Sequence, residues 1–360
     1  MLNYSDIRTV HLEISTRCNA ACPMCPRNAN GADSNLDYPL HDMSLAEAKR
    51  IFPVDFIKQL TYVFINGNFG DFVTARDGLE IVRYFRDTNP TLILEIMTNG
   101  SARPNWWTEL GKMHNLIVGF DLDGLADTHS LYRRKTDWNL IVSNAKKFID
   151  AGGKALWRFI QFDHNAHQLD QCKQLAKEMG FADFSVLPVD RSSGPVYDAD
   201  GNYAYRIGKL PDHHTLTKEG TEYEYRVEDF RKNIFFDSLP ENRKKILNIT
   251  PVAESLDCWA KKYKAIYVTA TGEIYPCCYL GFYPKIEYKG HPWQQDNFQL
   301  QDIVQNNNAL DTSLENTIEW FNEIELSWQK KSYADGRIHK CDNACGSTSI
   351  MGKFTEHQQL

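Results

Sequence analysis

The sequence predicts an α/β fold built on a parallel sheet, and three observations carry that prediction. Six strand patterns alternate with helical ones between residues 9 and 190. Cys18, Cys22 and Cys25 stand at Cys-x3-Cys-x2-Cys spacing just after the first strand pattern. A second group, Cys258, Cys277, Cys278, Cys341 and Cys345, lies in the last third of the chain, and Cys172 stands alone. Each parallel crossover needs a helix to return the chain, so the alternation implies parallel order. Periodicity leaves open whether the sheet closes, and six units are fewer than the eight of a full barrel.

The first strand is the alternating stretch Val10 to Ile14, and Pro23 and Pro26 stiffen the cysteine loop behind it. Residues 28–41 are rich in Asn, Gly, Asp and Pro, a surface-loop composition. Ser44-Leu45-Ala46-Glu47 is a capping box that starts a helix, which Pro53 interrupts before Leu60. Tyr62 to Ile65 reads as a buried strand, Gly78 to Arg86 as a helix and Leu92 to Met97 as the third strand. Trp106 to Met113 is a short helix and Leu116 to Phe120 the fourth strand. Ile141, Ala145 and Phe148 share a helical face that Gly152-Gly153 ends. Leu156 to Phe162 is the fifth strand. Leu169, Cys172, Ala176 and Met179 share the face of the next helix, Gly180 stops it, and Phe184 to Val189 is the sixth strand. From Ser192 the pattern stops, and Gly, Asp, Tyr and Pro dominate to about Leu216, as in a linker or lid. Residues 222–247 are charged and helical in part. Lys264 to Thr269 and Glu273 to Tyr275 form a hairpin across Ala270-Thr271-Gly272, and one helical segment is expected over Leu314 to Gln329.

A length of 360 residues suits one large or two unequal domains. The net charge of -7 argues against a nucleic-acid scaffold, whose footprint is basic. No signal-type apolar stretch precedes Arg17 and no run approaches the roughly 18 residues of a membrane span, so a cytoplasmic location is expected. There, nine cysteines stay reduced, and clustered ones read as metal or redox sites rather than disulfides. Three thiolates this close suit a soft metal centre. A 4Fe-4S cluster needs one ligand per iron, so three cysteines leave one iron open to a small molecule. A structural zinc site, or free thiols, is the plainer alternative.

Ligands of parallel α/β folds collect at the carboxyl ends of the strands, so the loops there should meet in one crevice. The second loop is Asn66-Gly67-Asn68-Phe69-Gly70-Asp71, whose glycines let backbone approach a ligand and whose carboxylate can accept from an ammonium. Thr98-Asn99-Gly100-Ser101 follows the third strand. Asp121-Leu122-Asp123-Gly124 follows the fourth, with His129, Arg133 and Arg134 beyond, and Gln161, Asp163, His164 and Asn165 follow the fifth.

This order of a Cys-x3-Cys-x2-Cys loop, a glycine-rich acidic loop, Thr-Asn-Gly and an Asp-Gly turn resembles the radical S-adenosylmethionine (SAM) superfamily over roughly residues 9–190. The resemblance implies a partial (β/α)6 TIM-type barrel, with a 4Fe-4S cluster on Cys18, Cys22 and Cys25. SAM would chelate the open iron, and reductive cleavage would give a 5′-deoxyadenosyl radical that abstracts hydrogen from a substrate. By position, Gly67, Gly70 and Asp71 match a Gly-Gly-Glu loop that holds the SAM ammonium, with Asn68 and Phe69 inserted and Asp in place of Glu. Asn66, Thr98, Asn99 and Gln161 fall in the neighbouring SAM-facing loops. Met24 falls where an aromatic residue often lies near the adenine. Asp121 and Asp123 match a Ser-Ile-Asp-Gly turn that contacts ribose, and Arg133 or Arg134 would pair with the SAM carboxylate.

The second cysteine group resembles a twitch domain, a shortened SPASM extension of radical SAM enzymes, and implies an auxiliary 4Fe-4S cluster in a small α+β iron-sulfur domain. Cys258, Cys277, Cys341 and Cys345 would be its ligands, with Cys278 a rival to Cys277. Four thiolates saturate such a cluster, which makes it an electron carrier, and a four-thiolate zinc site is the plainer alternative. The expected divisions are a barrel over residues 1–195, a linker or lid over 196–257 and the twitch-like domain over 258–360. The implied partners are SAM, a reductant such as a flavodoxin or ferredoxin, and a small-molecule or peptide substrate, with no nucleic acid and no membrane. The rival reading is a non-catalytic iron-sulfur carrier or scaffold. Asp190, Arg191, Tyr197, Tyr203 and Tyr205 are candidates for a substrate entrance, while Cys172 is expected in the core.

Overall fold

The computed structural model describes residues 2–25, 27–28, 30–31, 39–103, 105–187, 194–208, 252–282, 300, 303–304 and 306–347. Strands β1 (Thr9–Leu12), β2 (Tyr62–Ile65), β3 (Ile93–Thr98), β4 (Leu116–Asp121), β5 (Lys154–Ile160) and β6 (Asp183–Leu187) pair in chain order, every pair parallel. These are the six expected strands, with residues 188 and 189 of the last outside the described residues. The crossovers carry α1 (Leu45–Ile51), α2 (Val54–Gln59), α3 (Gly78–Thr88), α4 (Trp107–Gly111), α5 (His129–Tyr132), α6 (Trp138–Asp150) and α7 (Leu169–Met179).

Local signals explain several boundaries. Ser44 caps α1 by accepting from the Glu47 N–H, and the Glu47 carboxylate returns the bond to the Ser44 N–H, which satisfies two orphan donors. Pro53 stands at the N-cap of α2. Gly180 ends α7 at φ +87°, a left-handed position that costs glycine nothing.

Alternate residues of each strand face opposite sides of the sheet. Val10, Leu12, Val63, Ile65, Leu94, Ile96, Val118, Phe120, Ala155 and Trp157 join one buried cluster with Ile51, Phe56, Ile81, Phe85, Leu110, Ile141 and Phe148 of the helices. Burial of each large apolar side chain contributes about 1.5–3 kcal/mol. By alternation, the other face carries His11, Tyr62, Phe64, Glu95, Met97, Asp121 and Arg158. Gly119 belongs to that face because a Cβ there would lie 2.2 Å from the Met97 sulfur.

Three features depart from expectation. The region read as pattern-free holds an antiparallel pair, β7 (Gly194–Tyr197) and β8 (Tyr203–Ile207). The C-terminal hairpin, β9 (Ala265–Val268) and β10 (Ile274–Tyr275), forms as expected with Gly272 at φ +89°, yet β9 also pairs parallel with β1. The result is one open eight-stranded sheet, β10-β9-β1-β2-β3-β4-β5-β6, with β10 and β6 at its ends. The helical segment expected over Leu314 to Gln329 is two helices, α10 (Leu314–Thr317) and α11 (Phe321–Ser327). Short helices α8 (Trp259–Lys262) and α9 (Cys278–Phe282) flank the hairpin, and α12 (His339–Cys345) carries the last two cysteines. The charged stretch over 222–247, like Asp190 and Arg191, lies outside the described residues. Among the described residues, no helix is long and apolar enough to cross a membrane.

Candidate active site

Cys18, Cys22 and Cys25 lie in the loop after β1, close enough for each thiol to influence another. Burial raises Cys18 to about 12, with Asp71 and Cys22 adding to the rise. Burial likewise raises Cys22 to about 12, opposed by Arg133, and Cys25 to about 11. Three thiols held this high need cationic charge to become thiolates, which an iron centre supplies. Among the described residues, no group of three His, Cys, Asp or Glu side chains is arranged to hold a single metal ion. A cluster makes a different demand, one thiolate on each of several irons. The donor chemistry of the three thiols fits it.

Backbone carbonyls hold this loop to its neighbours. Arg27 donates to the carbonyls of Thr16 and Phe69. The Ala21 N–H donates to the Arg134 carbonyl (2.8 Å), and the Asp71 N–H to the Arg17 carbonyl (2.7 Å). Gly70 lies so close to the segment after β1 that a Cβ would stand 2.0 Å from the Ser15 oxygen, and one on Gly67 would stand 1.8 Å from the Gly70 oxygen. Asn66 accepts through its carbonyl from His11 Nε2 (2.9 Å).

The Asp71 carboxylate accepts from the Val73 N–H (3.0 Å), the Thr98 hydroxyl (2.5 Å) and the Asn99 N–H (2.8 Å), so three of its roughly four acceptor sites are filled within the chain. Burial raises it to about 6. Asp71 thus braces the Thr98–Asn99 turn, and Asn99 in turn donates from Nδ2 toward the Cys18 sulfur (3.7 Å) and to Asn19 Oδ1 (3.0 Å).

On the other flank of the cysteines, Arg133 bridges Asp121 (3.3 Å) and Asp123 (2.6 Å), and Arg158 of β5 pairs with Asp121 from the second side (3.1 Å). Asp123 is fully buried and also accepts from the Ile160 N–H (2.6 Å). Although burial opposes its charge, Asp121 and Asp123 hold the Arg133 pKa well above the usual value. Arg134 instead donates to the carbonyls of Gly31 (3.0 Å) and Tyr197 (2.8 Å), tying the cysteine loop to β7. Met24 packs beneath that hairpin, its sulfur 3.3 Å from where a Cβ on Gly194 would stand. Gln161 follows β5 with its N–H on the Leu187 carbonyl (3.5 Å). Of the entrance candidates, Tyr197 is buried, Tyr205 donates its hydroxyl to the Leu131 carbonyl (2.7 Å) and Tyr203 is exposed. Cys172 is buried in the core as expected.

The second group converges in its own place. Cys258, Cys277, Cys341 and Cys345 line one small cavity with Leu280, Trp328 and Lys340. Cys278 is not among the cavity's lining residues, and it influences both Cys277 and Tyr267. The Cys258 thiol hydrogen-bonds with Cys345, which raises it further than burial does. Burial raises Cys277 strongly and takes Cys341 to about 12. Backbone bonds bring the distant cysteines together, from the Asp257 N–H to the Cys345 carbonyl (3.0 Å) and from the Ser347 N–H to the Ser255 carbonyl (3.0 Å).

With this geometry in view, residues 12–162, which carry the strands and loops that present the first site, match the sequence model of the Radical SAM superfamily. SuiB from Streptococcus suis bound to S-adenosylmethionine is a structural neighbour at TM-score 0.53 and 14% identity, covering 86% of this chain and 65% of SuiB. The chain therefore spans about 65% of the length of SuiB. Native anSMEcpe with bound AdoMet gives TM-score 0.51 at 13% identity, over 97% of this chain and 95% of that one. At such identities the likeness is one of fold. A comparison with curated proteins gives no match.

Sequence reasoning missed Arg158, Glu13 and Tyr267. Arg158 had a signal, a charge inside the alternating stretch Leu156 to Ile160, on the face opposite Trp157 and Phe159. Glu13 sits one residue past β1 and Tyr267 inside an apolar strand, where each reads as an ordinary strand residue.

Proposed function

We propose that the chain is a radical SAM enzyme that cleaves SAM reductively and uses the adenosyl radical to oxidise, or form a bond in, a small molecule or peptide. The observation that carries the reading is the convergence of three thiols, the Asn66–Asp71 loop and the Asp121–Arg133 pair at one end of a parallel sheet. Cys18, Cys22 and Cys25 would hold the 4Fe-4S cluster. Carbonyls of the Asn66–Gly70 loop would face the SAM ammonium, Asp121 its ribose and Met24 its adenine, with Thr98, Asn99 and Asp123 orienting these groups. Arg158 or Arg133 would pair with the carboxylate. When bound, the reduced cluster supplies the electron that splits the carbon-sulfur bond of SAM. The chain's own part is to orient SAM and exclude water.

Cys258, Cys277, Cys341 and Cys345 would hold an auxiliary 4Fe-4S cluster, which would supply an electron acceptor for a net two-electron oxidation. The cavity that all four line supports this. A flavodoxin or ferredoxin would supply the first electron, and residues 258–360 would act as a twitch-like unit. The test is iron and sulfide analysis after anaerobic reconstitution, followed by chromatography for 5′-deoxyadenosine with SAM and a reductant. About eight irons per chain and 5′-deoxyadenosine that disappears in Cys25→Ala are expected. Iron without SAM cleavage would make the chain an electron carrier, and zinc without iron would overturn both readings.

A further inference from the structure

We propose that Glu13 and Tyr267 are positioning residues that set the Asn66–Asp71 loop for SAM, so that the C-terminal hairpin governs SAM binding at the mouth of the sheet. The inference rests on that loop being the SAM-binding loop. Glu13 follows β1 and is 1% exposed. One carboxylate oxygen accepts from the Phe69 N–H (3.0 Å), and the other accepts from the Tyr267 hydroxyl. Asn68 donates from Nδ2 to the same tyrosine oxygen (3.4 Å). Next to them, His11 donates to the Asn66 carbonyl (2.9 Å), its ring 4.9 Å from that of Tyr267. Residues 66, 68 and 69 of the loop are therefore each gripped by β1 or by β9.

The sheet itself does not call for these groups. β1 and β9 pair through backbone, Thr9 to Leu12 against Ala265 to Val268, and apolar residues would fill the positions of Glu13 and Tyr267 without the cost of burying a carboxylate. Burial raises Glu13 to about 7, and its donors oppose that rise. What the pair provides is direction. Two oxygens fixed from β9 and from the Phe69 N–H leave the Phe69 peptide one orientation, which aims the loop's remaining carbonyls. Gly70, pressed against Ser15, passes the constraint on to the strand that leads into the cysteine loop.

The test compares Tyr267→Phe, Glu13→Gln and Glu13→Ala at equal cluster loading, with SAM affinity measured by anaerobic equilibrium binding and thermal unfolding recorded alongside. Tyr267→Phe keeps the ring and removes one donor. It should weaken SAM binding about tenfold and raise KM for SAM more than it lowers the rate at saturation, with the unfolding temperature and cluster absorption held. Glu13→Gln, whose amide oxygen still accepts from Phe69, should recover most of the affinity lost in Glu13→Ala. Wild type that binds SAM beside Tyr267→Phe and Glu13→Ala of unchanged affinity overturns this inference alone. Wild-type holoprotein that binds no SAM overturns the loop reading and this inference together.

Discussion

His129 is buried and accepts the Asp123 N–H at Nδ1 (3.2 Å), which leaves its Nε2–H to donate to the Thr136 hydroxyl (3.0 Å). A second proton would point at the Asp123 N–H in a dry site beside Arg133. Burial, with Arg133 adding, therefore lowers its pKa to about 3. A depressed pKa means that the group's contribution is whole above its unfolded value near 6.5 and is lost as pH falls toward 3. Glu13 and Asp71, raised by burial to about 7 and 6, act in the opposite sense, so the wild-type curve alone mixes signs. The difference between wild type and His129→Gln isolates the histidine. In urea titrations the wild type should lose stability relative to this variant from about pH 6.5 downward, by on the order of 1–2 kcal/mol by pH 5.5. A difference flat in pH would show that folding leaves the His129 pKa at its unfolded value. Cys277 and Cys278 separate as sharply: Cys277→Ser should lose the auxiliary iron, whereas Cys278→Ser should retain it, read as iron per chain.

At the scale of elements, α12 must be held rigidly if Cys341 and Cys345 are to meet Cys258. Asp342, between the two cysteines, accepts from Arg337 Nε at both oxygens (3.0 and 2.8 Å), from the Tyr333 hydroxyl (3.0 Å) and from the Ala253 N–H (3.1 Å). Removing one partner of a buried ion pair leaves the other charge unsatisfied, so Asp342→Ala should cost about 3–5 kcal/mol in chemical denaturation and lower auxiliary iron with it. Elements with local punctuation were legible in the sequence: Ser44 and Glu47 mark the start of α1, Pro53 the start of α2, and Gly180 the end of α7. The break between α10 and α11 was not. There the Thr317 hydroxyl donates to the Ser313 (3.0 Å) and Leu314 (2.8 Å) carbonyls, and such back-bonding competes with the helix ladder without disturbing apolar periodicity. The β7–β8 hairpin was hidden by Gly, Asp and Asn around a strand that starts at Gly194-Pro195. The cysteine triad was legible because its spacing is local. The Arg133–Asp121–Arg158 arrangement was legible only in part, because Arg158 enters from the next strand.

The whole molecule turns on the pairing of β1 with β9, which no local signal announces because its partners are some 250 residues apart and parallel pairing leaves no turn to read. It places the strand preceding the first cysteine loop between β2 and β9, the first strand of the hairpin that leads to Cys277. Ile266, Tyr267, Val268, Ile274 and Tyr275 are all buried in the same cluster as Val10 and Leu12. A chain cut after residue 257 would expose the backbone edge of β1, strip apolar cover from that cluster and remove the hydroxyl that holds Glu13. Such a fragment should therefore aggregate, or unfold well below the full chain, and should fail to bind SAM even where iron is retained at Cys18, Cys22 and Cys25. Gel filtration with anaerobic SAM binding measures both. A monomeric fragment with full-chain SAM affinity would make the hairpin an appendage, and the two cysteine sites independent of one another. A fragment lacking both properties would mean that the first site is completed by the part of the chain that carries the second.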